Sequence, residues 1–380
     1  MGPYVFSFPT EIHFGPGVRH QAAEHLRARG VKRPLIVTDK ALAALPLSAA
    51  FESSLRKGGL ESSVFSGVVG NPTASQVAAG VAAYRHHRAD AVVGLGGGAA
   101  LDVAKAVALM ADNAGEILEY AWDHPKTRAI TRPLPHFIAL PTTSGTGSEV
   151  GRSAVISDDA THIKKIIFSP ALLAKAVFAD PELTLGLPPA ITAATGMDAL
   201  THNVESYLSP AYHPLCDGIA LEGARIAARA LATAVRDGAN LPARSEMMMS
   251  SLMGAVAFQK DLGAVHSCAH ALSTVADLHH GLANALMIDH VMRFNADAAE
   301  AKLAELARVC GAGSASADFI AWLGWLKREI GIPAGLSAVG VKPGQVDRLV
   351  EVALKDGCHR TNPKPCTRAD FRALFLAAMG

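Results

Sequence analysis

Along the first half of the chain, short apolar and β-branched runs alternate with stretches of helical spacing. The runs PLIVTD (34–39), SSVFSGV (62–68), AVVGLGG (91–97), HFIALPTT (136–143) and AVFADP (176–181) read as strands. Their alternation with helices predicts βαβ units and a mainly parallel sheet. After PELTLGLPPAIT the pattern changes to long Ala- and Leu-rich stretches such as DGIALEGARIAARALATAVRDG and ARSEMMMSSLMGAVAFQK, so the second half is expected to be helical. Pro181, Pro188 and Pro189 punctuate the change. They place a boundary near 185, between an α/β domain over 1–185 and an all-α domain over 186–380. No repeat or low-complexity linker separates the two, which predicts close packing around a cleft.

Length agrees with this division, because 380 residues exceed the roughly 250–300 at which single cores stop growing. Charge narrows the partner. With 18% charged residues and a net charge of +1, no global field favours nucleic acid or an anionic membrane, and a small-molecule substrate is expected. The N-terminal MGPYVFSFPTEIHFGPG lacks a basic segment followed by an apolar one, and no run of about 18 uncharged apolar residues occurs. A soluble, cytoplasmic protein is expected. Cys216, Cys268, Cys310, Cys358 and Cys366 are scattered and form no C-x-x-C pair, which argues for reduced thiols.

Candidate chemistry begins at AVVGLGGGAALDVAKAVAL (91–109), a strand, a turn at Gly96, Gly97 and Gly98, and a helix. Bare amides at such a helix start suit a pyrophosphate. The ordinary dinucleotide fold then places an acid about 20 residues later, at the end of the next strand, and none is there. Asp39 ends an earlier strand instead, where its carboxylate suits either a ribose or a helix cap. PTTSGTGSEV (141–150) adds five hydroxyls on a loop after a strand, suited to phosphate or nicotinamide contacts or to a Ser/Thr turn.

The second half carries a different signal. Asp198 and His202 lie four apart on one helix and so share a face, His266 and His270 repeat the spacing, and His280 follows at an apparent helix start. One carboxylate with three imidazoles suits Fe(II) or Zn(II) and leaves a position open for a substrate oxygen. Spacing alone does not say which of His266 and His270 is a ligand.

The strings GVVGNPT, GGGAALDVAKAVA, PTTSGTGSEV, DPELTLGLPPAITAATGMDALTHNVESYLS, VHSCAHALS, HHGLANALM and CHRTNPKPCTRADF span almost the whole chain and resemble the iron-containing, group III, alcohol dehydrogenase family. The resemblance implies a dehydroquinate synthase-like fold: an N-terminal α/β dinucleotide domain, a helical metal domain and an active site in the cleft. It places the metal ligands at Asp198, His202, His266 and His280, and makes His270 the non-ligand histidine beside the nicotinamide. It places cofactor contacts at Asp39, Asn71, Gly97, Gly98, Asp102, Thr142, Thr143 and Lys164. Three departures, Ala99 for a usual Ser, HALS (270–273) for HPLG and Asp289 for a usual Pro, touch no implied ligand. SEV-x-R, AFQK-x-LG, LHHG, RFNADA and CH-x-TNPK are most similar to the 4-hydroxybutyrate dehydrogenases of the family.

The expected activity is hydride transfer between NAD and a primary alcohol or its aldehyde, with His270 relaying the proton. NAD is preferred over NADP if Asp39 faces the ribose. The expected substrate is a short ω-hydroxy acid such as 4-hydroxybutyrate, its carboxylate held by Arg152 and Lys260. Each of these cations pairs instead with a nearby acid such as Glu149 or Asp261 if its role is structural. A general short-chain alcohol dehydrogenase, a maleylacetate reductase-like enzyme and a metal- or nucleotide-binding regulatory protein are the alternatives, and a homodimer or larger homo-oligomer is expected. A substrate phosphate would need a basic cluster that HPLCDGIALEG and its neighbours lack.

Overall fold

The computed structural model describes residue 8 and residues 10–380. Part of the N-terminal stretch read for a leader, residues 1–7 and 9, lies outside the described residues. The chain divides into two compact units, Ser7–Thr143 with Ser148–Thr184, and Leu185–Gly380 with Ser144–Gly147.

The first unit holds strands β1 (Glu11–Phe14), β2 (Pro34–Asp39), β3 (Ser63–Val68), β4 (Ala91–Gly96), β5 (His136–Pro141), β6 (Ser153–Ser157), β7 (Lys164–Phe168) and β8 (Ala176–Ala179). Helices α1 (Ala22–Ala28), α2 (Lys40–Ala43), α3 (Pro46–Lys57), α4 (Ala74–His87) and α5 (Gly98–Met110) connect them. Six strands form one sheet in the order β1-β8-β5-β4-β2-β3, with every pairing parallel. All five strands expected from the apolar runs are in it. β4 is buried along its whole length, as an apolar strand covered on both faces should be. One core packs Ile36, Val93, Leu95, Ile138 and Leu140 against Leu26 and Leu55 of α1 and α3.

β1 and the antiparallel pair β6–β7 were not expected from the sequence. Each has four or five residues and carries charged or hydroxyl groups among the apolar ones, so no run stands out.

The chain runs from β2 outward to β3, then returns to place β4 on the other side of β2. The strand order therefore reverses between β2 and β4, and in open parallel sheets ligands bind beyond the strand ends at such a switch point. Asp39 and the glycine turn are the two strand tips that flank it.

The second unit is helical among the described residues: α6 (Pro189–Leu208), α7 (Pro214–Arg236), α8 (Leu241–Ala257), α9 (Ala264–Ala276), α10 (His280–Asn295), α11 (Glu300–Val309), α12 (Ser316–Glu329), α13 (Val346–Lys355) and α14 (Arg368–Ala377). α6 starts on Pro189, whose missing N–H costs nothing in a first turn, and is buried on nearly every side from Thr192 to Leu208. A helix buried all round belongs in the middle of a bundle. Its polar residues Asp198, His202 and Glu205 are therefore enclosed, and each needs a partner there.

Candidate metal centre

Three helices of the second unit bring the site together. Asp198 and His202 come from α6, His266 from the first turn of α9 and His280 from the first residue of α10. Glu205, one turn beyond His202 on α6, meets two of the first-turn amides of α9. Its carboxylate accepts from the amides of Val265 at 2.7 Å and His266 at 3.3 Å, and from His266 Nδ1 at 2.6 Å. One buried acid thus caps a helix and orients the imidazole that the helix carries. α10 approaches α6 closely because residue 281 is glycine, since a Cβ there would run into the Ala194 carbonyl.

One atom from each of Asp198, His202, His266 and His280 lies within 4.8 Å of the others. Asp198 Oδ1 is 3.9 Å from His202 Nε2, 3.8 Å from His266 Nε2 and 3.4 Å from His280 Nε2. Two rings are held through the opposite nitrogen: His202 Nδ1 faces the Gly145 carbonyl at 3.3 Å, and His266 Nδ1 faces Glu205. Both Nε2 atoms are left turned toward the common centre. Burial pulls His202 down to about 4, so its ring is neutral at pH 7, the form a metal needs. Burial also pulls His266 down, but the hydrogen bond and charge of Glu205 outweigh it and raise this histidine, so a metal would displace a proton there. The donor set, its enclosure and its outer partners fit a divalent ion of the iron or zinc kind.

His270 stands apart from these four. Its ring stacks on His280 with centroids 5.2 Å apart, while its Nδ1 bonds Asp356 at 2.8 Å. Burial pushes the Asp356 carboxyl up, but His270, the Ser267 hydroxyl and the Cys358 amide together hold it well below the usual carboxylate range. Asp356 is a negative partner that orients the His270 ring through Nδ1. His270 thus has the features of a proton carrier, which the spacing alone did not separate from those of a ligand.

The residues expected at the cofactor all lie in the sheet unit. Asp39 ends β2, and Asn71, Gly97 and Gly98, and Thr142 and Thr143 follow β3, β4 and β5; the four strands are adjacent and parallel, so these residues lie at the same edge of the sheet. Gly96 has φ +152°, and a Cβ on it would meet Ala100 at 2.6 Å and Asp39 Oδ2 at 3.5 Å. The acid and the glycine turn are therefore neighbours, although the acid comes first in the chain. Asp39 also caps α2, Oδ1 accepting from the Leu42 amide at 2.8 Å, which is the helix-cap reading, while Oδ2 is the oxygen beside the glycine turn. No side chain caps α5, whose first amides follow Gly97. Asp102 on α5 accepts from Ser148 Oγ at 2.6 Å and from the Val155 amide at 2.9 Å, which ties the hydroxyl loop and β6 to the helix. Lys164 begins β7; Lys165 points to the other face and pairs with Asp123 at 2.7 Å.

The two cations expected at the substrate are in different units. Arg152 precedes β6 in the sheet unit, and its carbonyl accepts from the Ser169 amide. Lys260 requires correction: its side chain is fully buried, and its ammonium is spent on the Asp217 carboxylate and the Tyr207 carbonyl. Asp217, on α7, is 43 residues from Lys260 in the sequence, outside the reach of local spacing. A further ionic group was also missed. Lys105 is buried, donating to Ser148 Oγ at 2.8 Å and the Ser153 carbonyl at 2.7 Å, with Asp102 3.8 Å away and Glu149 close enough to feel its charge.

A parallel sheet with a glycine turn beside a strand-end acid, followed by a helical unit with one carboxylate and three imidazoles on a common centre, defines a two-domain oxidoreductase of dehydroquinate synthase-like fold. The description "iron-containing alcohol dehydrogenase" matches residues 9–181, and the C-terminal part of the same family matches residues 192–379, so the chain belongs to the iron-containing alcohol dehydrogenase family. It is 40% identical to the 4-hydroxybutyrate dehydrogenase of Cupriavidus necator over 97% of this chain and 98% of that protein. The crystal structure of a 1,3-propanediol oxidoreductase superposes with a TM-score of 0.95 at 37% identity, covering 99% of this chain and all of that one. A sulfoacetaldehyde reductase from Bifidobacterium kashiwanohense, solved with NAD+, superposes at 0.92 with 29% identity over the full length of this chain and 99% of that one. Enzymes of this family are NAD-dependent and contain iron. The chain is an oxidoreductase of the alcohol dehydrogenase type, and the regulatory-protein alternative falls.

Proposed function

We propose that this enzyme interconverts a short ω-hydroxy acid, 4-hydroxybutyrate, with its semialdehyde, using NAD and one divalent metal ion held by Asp198, His202, His266 and His280. The observation that carries the metal assignment is the convergence of those four ligand atoms, two of them aimed by Gly145 and Glu205. The bound ion would act as a Lewis acid on the substrate oxygen and favour its deprotonation near neutral pH. His270, held by Asp356, carries the released proton away, and returns it in the reductive direction. The strand-tip residues bind the dinucleotide: Gly97 and Gly98 admit the pyrophosphate, Thr142 and Thr143 supply hydroxyls, and Asp39 Oδ2 faces the ribose. Asn71, Asp102 and Lys164 complete that set.

The hydroxy-acid reading draws on the similarity to the Cupriavidus necator enzyme and on Arg152, a cation directly after the hydroxyl-rich loop that suits a carboxylate; the Lys260 ammonium bonds Asp217 and Tyr207. That engagement also favours a second reading, an uncharged alcohol or diol, as the name of the 1,3-propanediol oxidoreductase describes for that protein.

Metal analysis and a substrate panel decide among these. The wild-type protein should hold one iron or zinc per chain and His280→Ala should lose it; unchanged metal in the variant would remove His280 from the ligand set. Arg152→Ala should lower kcat/KM for 4-hydroxybutyrate far more than for 1-butanol, since an uncharged substrate makes no use of the anchor. Equal use of 4-hydroxybutyrate, 1-butanol and 1,3-propanediol by the unmutated enzyme would replace the hydroxy-acid reading by the general one. Asp39→Gly should narrow the preference for NAD over NADP, because the carboxylate repels a 2′-phosphate; an unchanged ratio would move that task elsewhere.

A further inference from the structure

The side chain of Asn284 enters the ligand ring from α10, one turn after His280, and is completely buried. Its Nδ2 lies 2.7 Å from Asp198 Oδ1, 3.4 Å from His266 Nε2 and 3.3 Å from His280 Nε2. Its own Oδ1 has no hydrogen-bond partner among the described residues. A buried amide oxygen left unsatisfied costs about 1–3 kcal/mol, so the amide's orientation is set at its other end. That end faces a carboxylate oxygen at 2.7 Å. A carboxylate accepts only, so the NH2 must point inward and the carbonyl outward.

We infer that Asn284 is a positioning residue for the metal centre: its N–H holds Asp198 Oδ1 toward the three imidazoles and keeps the site at a single carboxylate. The inference rests on the ligand assignment above and deepens it. An ion would occupy the lone pairs of His266 and His280 that now face the amide. A carboxylate oxygen has more than one lone pair, so the bond to Asp198 can persist with the ion in place. A neutral amide there also matters for charge. One carboxylate and three neutral imidazoles leave a dication with net charge +1 to draw the proton from an alcohol, whereas an acid at 284 would cancel it.

Asn284→Ala and Asn284→Asp separate these roles when Co(II) is loaded into the metal-depleted full-length protein and followed by its visible absorption and by competition with a chelator. Loss of the N–H in Asn284→Ala should weaken Co(II) about 10–100-fold, the usual loss for an outer partner of a ligand. Asn284→Asp should bind Co(II) at least as tightly as wild type but with a changed spectrum, as a second carboxylate joins the site, and with kcat reduced while KM for NAD stays put. Wild-type affinity and spectrum in both variants would overturn the role of Asn284. So would loss of the helical circular dichroism in both, whether or not Co(II) is present, since the amide would then be a packing element only. Failure of the wild-type protein to take up Co(II) would instead overturn the ligand set itself.

Discussion

His270 and His280 stack ring on ring, yet His280 Nε2 turns to Asp198 at 3.4 Å whereas His270 Nδ1 turns to Asp356 at 2.8 Å. Imidazoles that bind a metal have one nitrogen on the ion and the other on an outer acceptor, whereas a proton carrier needs a charged partner and some access to solvent. His270 has Asp356 and is partly exposed. His270→Ala should therefore keep its metal while kcat falls by about 10²–10⁴-fold, and Asp356→Asn should shift the pH profile of kcat without altering metal content. Metal analysis of the two purified variants checks this, and loss of the ion from His270→Ala would make it a ligand. Glu205 shows the same logic with a structural consequence added. It satisfies α9 and His266 together, so removing it damages a helix end and a ligand in one step.

Among the elements, α10 depends on a single absent atom. Gly281→Ala would force a Cβ against the backbone of α6 at Ala194, directly beside Asp198 and His280, and overpacking of this kind costs about 1–3 kcal/mol. Thermal unfolding should show a lower Tm and metal analysis a lower content; a variant with both unchanged would mean that α10 shifts freely. How far such features were legible in the sequence follows from their range. The parallel strands and long helices were readable because their periodicity is local. Asp198, His202 and Glu205 follow one helical stripe at i, i+4 and i+7, and Asn284 lies at i+4 from His280, so extending the same rule by a turn would have found both missed groups. Asp102, three residues before Lys105 on the same helix, is within that rule, but the other partners of Lys105 and those of Lys260 are not. Asp217 and Ser148 reach the two lysines from other elements, and only tertiary packing pairs them. The short strands β1, β6 and β7 escaped for a different reason, since four or five residues of mixed polarity carry too few positions to establish a period of two.

At the scale of the whole molecule, buried charge links stability to pH. Glu149 is 2% exposed, its Oε1 has no partner among the described residues, and burial pushes its carboxyl from 4.5 up to about 7. Between those values the folded protein holds a proton that the unfolded chain has released. Stability from this group therefore falls as pH rises from about 4.5 to 7, then levels off. Glu149→Gln should melt higher than wild type at pH 8, by up to the order of 3 kcal/mol, and converge with it near pH 5. An advantage equal at both pH values would show that ionisation of Glu149 is not the cause. The reversal of strand order between β2 and β4 has a consequence of another kind. Because Asp39 and the glycine turn meet in space while belonging to separate βα units, the roles proposed for them, choice of dinucleotide and grip on its phosphates, would be inherited on different stretches of chain. Change at one strand tip can retune the first and leave the second intact, so cofactor preference in such a lineage is free to drift by single substitutions without passing through a form that binds no dinucleotide.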